Sequence, residues 1–126
     1  ISFPGTIVNN LFAVVWHRNH LGIMSAFPLT LTSPGHYSYN FSTDATQIYG
    51  GTSGCKKIGI IYGMVAGNGY PDNKIKETDL DNVWNLQTGG RGYKAGDFDL
   101  NSQVNNQDKN GLWYINVGYE CQVPEL

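Results

Sequence analysis

The amino-acid sequence predicts an α+β single domain over residues 1–126, with a small antiparallel β-sheet front half (residues 1–65) packed on a pair of loop–helix units (residues 66–126). Three observations carry this expectation. Residues before about 65 fall into short runs of β-branched and aromatic side chains parted by turn-forming residues, the pattern of antiparallel strands. The remainder contains an internal repeat in which residue 97 is equivalent to residue 68, an offset of 29 residues. The length of 126 residues fits one compact domain, and at that size a chain buries enough surface to build a core without staples.

The elements follow in order. Leu11–Arg18 and His20–Ser25 read as strands, with Asn19 at a bulge or tight turn between them. Leu29–Thr32 alternates apolar and polar residues, as a half-buried strand does. Ser33-Pro34-Gly35-His36 is a turn signal. Beyond it the alternation resumes and puts Tyr37, Tyr39 and Phe41 on one face. Gly50–Gly54 is a flexible connection, and Ile58–Val65 is a last strand leading into the repeat. The short apolar segment Ile1–Val8 either pairs within its own chain or is donated as a strand to a neighbour's sheet edge.

Composition removes several function classes. Charged residues make up only 14% of the chain against about a quarter in an average globular protein, and hydrophobic residues 40%, which argues against disorder or a coiled coil. The net charge of −2 lacks the basic excess of a nucleic-acid binder. No apolar run approaches the ~20 residues that cross a bilayer. A start at Ile1 rather than Met fits a processed or excised form, from which any signal peptide has gone. Of the ten acidic residues, seven lie between Asp72 and Asp108, in a stretch also rich in asparagine.

That acidic stretch holds the most informative pattern. Asp97 to Asp108 places oxygen-bearing side chains at loop positions 1, 3, 5, 9 and 12, with apolar Val104 at position 8. This is the spacing of an EF-hand-type calcium loop, with Asp for Glu at position 12. A hard cation needs six or seven oxygens aimed at one point, and a tight loop supplies them from alternate side chains and one main-chain carbonyl. Asp97, Asp99, Asn101, Gln103 (through its carbonyl) and Asp108 are the expected ligands of this second loop. A helix from Gln107 to about Val117 should follow and stop at Gly118. The equivalent first loop runs from Asn68 to Asp79, with Ile75 at position 8 and Asp79 at position 12. Trp84 and Trp113 occupy the same place in the two following helices. The first loop has neutral Asn68 and Tyr70 at positions 1 and 3, so Asn68, Tyr70, Asp72, Lys74 and Asp79 form a weaker set, held by metal or mainly by hydrogen bonds. One or two calcium ions are therefore expected.

Other clusters point less far. His17 and His20, with Trp16, Arg18 and Asn19, form the densest polar group of the front half. No carboxylate lies near them in sequence, so hydrogen bonding that fixes a turn is favoured over a metal or acid–base site. The Tyr37, Tyr39 and Phe41 face suits either a core contact with the back half or a sugar-stacking platform. No nucleophile elbow, phosphate-cradling glycine motif or zinc-ligand spacing is present, and an enzyme is not expected. Gly89-Gly90-Arg91-Gly92 reads as the linker between the repeat units.

The duplicated loop–helix unit resembles that of dockerins, non-catalytic modules in which two such units pack around a pseudo-twofold axis. Residues Asn10 to Ala26, with the run Val14-Val15-Trp16-His17-Arg18-Asn19-His20-Leu21-Gly22-Ile23-Met24-Ser25-Ala26, are similar to the "VVxHRNHLGVMSA" block of a conserved domain near the C-terminal end of large secreted bacterial surface proteins. In that family the block precedes a dockerin-like "GDxNxDGQVNNQDKN" segment, which Gly96 to Asn110 resembles, and Gln122-Val123-Pro124-Glu125 is similar to the family's usual end. The chain departs from the pattern at Asn68 and Tyr70, at Ser102 where glycine is usual, and in its two cysteines. The resemblance implies a secreted or cell-surface, calcium-binding, non-catalytic module that attaches to another protein or to copies of itself, without nucleic acid or a membrane span. A carbohydrate-binding module using Trp16, Tyr37 or Tyr39 is the alternative. In a dockerin-like pair the two ends of the repeat segment meet, which implies a disulfide between Cys55 and Cys121, permitted outside the cell.

Overall fold

The computed structural model of the protein describes residues 9–125, so the expected Ile1–Val8 strand lies outside the described residues. Within them the chain is a small α+β fold. Strands β1 (Val14–Val15) and β2 (Ile23–Met24), β3 (Thr30–Ser33) and β4 (His36–Ser38), and β5 (Lys56–Ile58) and β6 (Ile61–Gly63) pair as three two-stranded antiparallel sheets. Short 3-10 turns at Ala45–Gln47 and Gly51–Ser53 join the second and third sheets. Two helices follow, α1 over residues 77–87 and α2 over residues 108–116.

The local chemistry explains the turns. Pro34 and Gly35 span the β3–β4 hairpin, with Gly35 at φ 77°, the backbone a type II turn requires after proline. The apolar run expected as one strand over Ile58–Val65 instead folds back on itself. Gly59 at φ 64° opens the turn between Ile58 and Ile61, and Ile60 stands 92% exposed at its tip.

Both helices are wound unusually. Leu80–Trp84 in α1 and Asp108–Trp113 in α2 are π-helical, at equivalent places in the repeat. π turns are rare and concentrate at functional sites. Each helix then ends before a left-handed glycine, Gly89 at φ 85° and Gly118 at φ 99°. The expected stop at Gly118 is observed.

Among the described residues, two clusters form the core. The larger joins the halves and contains Leu21, Val65, Ala66, Ile75, Trp84, Phe98, Val104 and Trp113. The smaller lies within the front half and contains Ile23, Ala45, Ile48 and Cys55. Phe41 packs on this second cluster and meets Tyr39 edge-to-face at 4.9 Å. The Tyr39–Phe41 face is therefore used inside the front half rather than against the repeat.

The expected Cys55–Cys121 disulfide is not formed, and both thiols are free. The end of the repeat does return to its beginning, since the Cys121 amide donates to the Asn73 carbonyl at 2.8 Å. Cys55, however, precedes the β5–β6 hairpin and turns into the smaller cluster, where its thiol donates to the Gly51 carbonyl at 3.3 Å. Cys121 packs on the larger cluster and donates to the Gly22 carbonyl at 3.4 Å. Burial raises the Cys55 thiol above its ordinary range, with the Asp44 charge adding to the effect.

Candidate metal centre

The repeat seen in the sequence is a repeat of bonds. In the second unit the Val104 amide donates to the Gly90 carbonyl, the Gly89 amide to the Val104 carbonyl, and the Gly92 amide to the Ser102 carbonyl, at 2.8–2.9 Å. In the first unit the Ile75 amide donates to Tyr119, the Gly118 amide to Ile75, and the Cys121 amide to Asn73, over the same distances. Every atom of one set lies 29 residues from its counterpart. Each loop is thereby bridged to the strand-like segment that follows the other unit's helix, Lys74 against Glu120 and Gln103 against Arg91. The tryptophans cross in the same way. Trp84 Nε1 donates to the Asn105 carbonyl at 2.9 Å, and Trp113 Nε1 to the Lys76 carbonyl at 3.1 Å. Position 8 anchors each loop from below, Ile75 and Val104 being fully buried.

Close approach between the units depends on a glycine before each loop. A Cβ on Gly67 would lie 3.3 Å from Trp113 Cα, and one on Gly96 would lie 3.4 Å from Trp84 Cα. Left-handed backbone recurs at position 6, on Asn73 at φ 62° and Ser102 at φ 71°. Both loops therefore make the sharp turn that usually falls to glycine at this position.

In the second loop this frame brings Asp97, Asp99 and Asp108 together, with one carboxylate oxygen of each within 4.8 Å of the others. Asp97 and Asp108 are buried, at 2% and 0% exposure, and Asp99 is the outermost. Backbone amides hold the buried pair. Asp97 accepts from Asn101 and Ser102 at 3.0 and 2.9 Å, and Asp108 from Asp99 and Asn105 at 3.1 and 2.8 Å. Burial first, and then the Asp108 and Asp97 charges, push the Asp99 carboxyl above the usual range. A carboxylate offers about four acceptor sites, so amide contacts leave room for a further ligand. Arg18 of the front half approaches Asp97 Oδ2 at 3.9 Å and stacks 3.8 Å over the Tyr93 ring. Clustered carboxylates without sulfur or imidazole suit a hard cation such as calcium or magnesium. The group is able to hold a metal ion.

Of the other expected ligands in this loop, Asn101 accepts from the Gln103 amide at 2.9 Å and donates to Asp99 Oδ2 at 2.9 Å, placing it beside the triad. The Gln103 side chain is exposed, and its backbone faces Arg91.

The first loop shares the frame and differs in its centre. Asp79 is buried and accepts from the Tyr70 and Lys76 amides at 2.9 and 2.8 Å, as Asp108 does in its loop. Burial pushes its carboxyl up to about 6, against the pull of these amides. Tyr70 contributes its amide. Asp72 accepts from the Lys74 amide at 3.2 Å and from Thr78 Oγ1 at 3.1 Å, and its Oδ2 lies 2.9 Å from Lys76 Nζ. The Lys74 ammonium turns away to pair with Glu120. Asn68 is buried, and the balance of donors and acceptors around it directs its amide nitrogen to the carbonyls of Tyr70 and Lys74, at 3.1 and 3.2 Å. Lys76 and Thr78 were not among the expected site residues. A signal for Lys76 was in the sequence, since it stands at loop position 9 with Asp72 four residues before it; Thr78 had none.

The histidine cluster is built around a bend. The chain bends at Arg18–Asn19, so the His17 and His20 rings meet edge-to-face at 4.6 Å. His20 Nδ1 lies 2.8 Å from Asn19 Oδ1. Asn19, fully buried, donates through Nδ2 to the carbonyls of Ala95 (3.1 Å) and Asp97 (2.6 Å), while its own carbonyl accepts from the Gly67 and Asn68 amides. Residues 68 and 97 open the two loops, so one asparagine fastens both. Its role was not foreseen beyond a turn. No family model, curated protein or solved structure matches the chain.

Proposed function

We propose that the chain is a non-catalytic, extracellular calcium-binding module that attaches to another protein or to copies of itself, built on a dockerin-like pair of loop–helix units. The observation that carries this reading is the Asp97, Asp99 and Asp108 cluster, set at positions 1, 3 and 12 of a loop whose three backbone bonds to the other unit recur in the partner loop. Two of the three carboxylates are buried, and buried like charges are costly unless paired or bound to a cation. Calcium at this point offsets that cost and holds the second loop, both helices and the crossed bridges in one shape. The module then presents a fixed surface while doing no chemistry itself.

The experiment is a thermal melt of the full chain with calcium and with EDTA. Calcium should raise the melting temperature markedly, and Asp97→Ala or Asp108→Ala should remove most of the gain. A melting curve that EDTA leaves unchanged would refute the reading. Molecular mass in solution, with and without calcium, tests whether copies of the chain assemble. One observation favours glycan binding instead: Trp16 is 60% exposed and its ring sits over Gly22. A glycan array with Trp16→Ala as control separates the two.

A further inference from the structure

The two loops agree in their three backbone bonds to the other unit, yet what fills them differs. Loop two, residues 97–108, contains three carboxylates and no basic residue. Loop one, residues 68–79, contains Asp72, Glu77 and Asp79 against Lys74 and Lys76. We propose that loop one carries its own cation: the Lys76 ammonium and the Asn68 amide nitrogen do there what a calcium ion does in loop two. The chain accordingly takes up one ion, and its first loop–helix unit is complete without metal. The count for loop two rests on the calcium reading above; the account of loop one rests on its own contacts.

A bound calcium gathers the side-chain oxygens of positions 1, 3 and 5, the position-7 carbonyl and the position-12 carboxylate. In loop one the position-5 carboxylate, Asp72, is taken by Lys76 Nζ at 2.9 Å and by Thr78 Oγ1 at 3.1 Å. The position-7 carbonyl, Lys74, and the Tyr70 carbonyl lie 3.2 and 3.1 Å from the end of the Asn68 side chain, and only the amide orientation that turns Nδ2 toward them gives both a donor. Asn68 stands at position 1, where loop two has Asp97. An ionised carboxylate there only accepts, whereas an amide also donates. A single substitution at position 1 thus turns a metal ligand into a group that satisfies the other ligands. Position 9 shows the same exchange. In loop two it is Asn105, whose Oδ1 accepts from the Gln107 amide; in loop one it is Lys76, whose exposed ammonium pairs with Asp72 while that of Lys74 pairs with Glu120. Tyr70 completes the pattern, since position 3 offers no carboxylate. Because each loop is bridged to the segment after the other helix, a self-sufficient loop one also holds residues 118–121 and α2 in place before calcium arrives.

Calcium binding to the full chain, measured by titration calorimetry and counted by equilibrium dialysis, tests the proposal. The expected counts are one ion for the natural sequence, one for Tyr70→Asp alone, and two for Asn68→Asp, Tyr70→Asp and Lys76→Asn combined, which gives loop one the residues of loop two at positions 1, 3 and 9. Two ions in the natural chain or in Tyr70→Asp would overturn it, because loop one would then accept calcium with Lys76 and Asn68 in place. Equal counts in the natural chain and the triple variant would overturn it as well. No ion in the natural chain and one in the triple variant would support it while defeating the calcium reading of loop two. If the triple variant does not fold, Lys76→Met decides in excess EDTA. Its melting temperature should fall below that of Lys57→Met, an exposed lysine of the β5–β6 hairpin, and no difference between the two would overturn the proposal.

Discussion

His20 lies half-buried beside Asn19, and its environment holds the imidazole neutral. Burial, followed by the nearby His17 and Arg18, lowers its pKa to about 4 from an ordinary 6.5. The folded state then resists a proton that the unfolded chain accepts. The contribution is fully favourable above pH 6.5 and is lost as pH falls toward 4, by about 3 kcal/mol over that window at 1.36 kcal/mol per pKa unit. An NMR titration should show the His20 ring with a midpoint near 4, and the stability difference between the natural chain and His20→Gln should shrink in acid. A ring midpoint above 6 would refute this. Ser102 carries a second residue-scale cost. Its φ of 71° is a conformation in which L-residues lose ~1–2 kcal/mol and glycine does not. Ser102→Gly should therefore leave stability unchanged or raise it by up to ~1 kcal/mol after glycine's entropy cost, read as a shift in the urea midpoint; a clear loss would mean the serine hydroxyl has an unrecognised role.

The helices are coupled through their tryptophans. Removing the indole N–H takes a donor from the Asn105 carbonyl for Trp84 and from the Lys76 carbonyl for Trp113; the Lys76 carbonyl keeps the Asp79 amide as a second donor at 3.0 Å, and a lost hydrogen bond costs ~0.5–1.5 kcal/mol. Trp84→Phe and Trp113→Phe should both destabilise, Trp113→Phe by no more than Trp84→Phe because its acceptor keeps the Asp79 amide. They should differ in calcium affinity. Trp84 braces position 9 of the loop that holds the acidic triad, so Trp84→Phe should weaken calcium binding severalfold, and Trp113→Phe should leave it nearly unchanged. Titration calorimetry on both variants distinguishes this from a common loss of stability. Much of this level was legible in sequence: Ile75 and Val104, Asp79 and Asp108, and Trp84 and Trp113 were matched by spacing alone. The crossing was not, because spacing records which residues are equivalent and not which unit each one touches. The front-half strands also came out shorter than their apolar runs, since β1–β2 pairing stops where the chain bends at Arg18–Asn19 to reach the repeat.

At the scale of the whole molecule the halves depend on one buried side chain. Asn19→Ala would leave the Ala95 and Asp97 carbonyls without their donor and open a void beside the second loop. It should lower stability by ~2–4 kcal/mol and weaken calcium binding, although residue 19 is not a ligand. Unaltered calcium affinity in a folded Asn19→Ala protein would show that the loops are set without the front half.

The sequence by itself determined the α+β class, the duplicated unit, its period of 29 residues and the acidic loop, because each is written in local spacing: alternation for strands, alternate oxygens for a cation site, an apolar eighth position for the anchor. Only the tertiary structure decided that Cys55 and Cys121 stay apart in different clusters, that Asn19 joins the two loops, and that Lys76 rather than Lys74 turns toward Asp72. These are outcomes of packing between segments far apart in the chain, where the direction a side chain takes depends on which neighbour reaches it first in space, and no local pattern of residues encodes that choice.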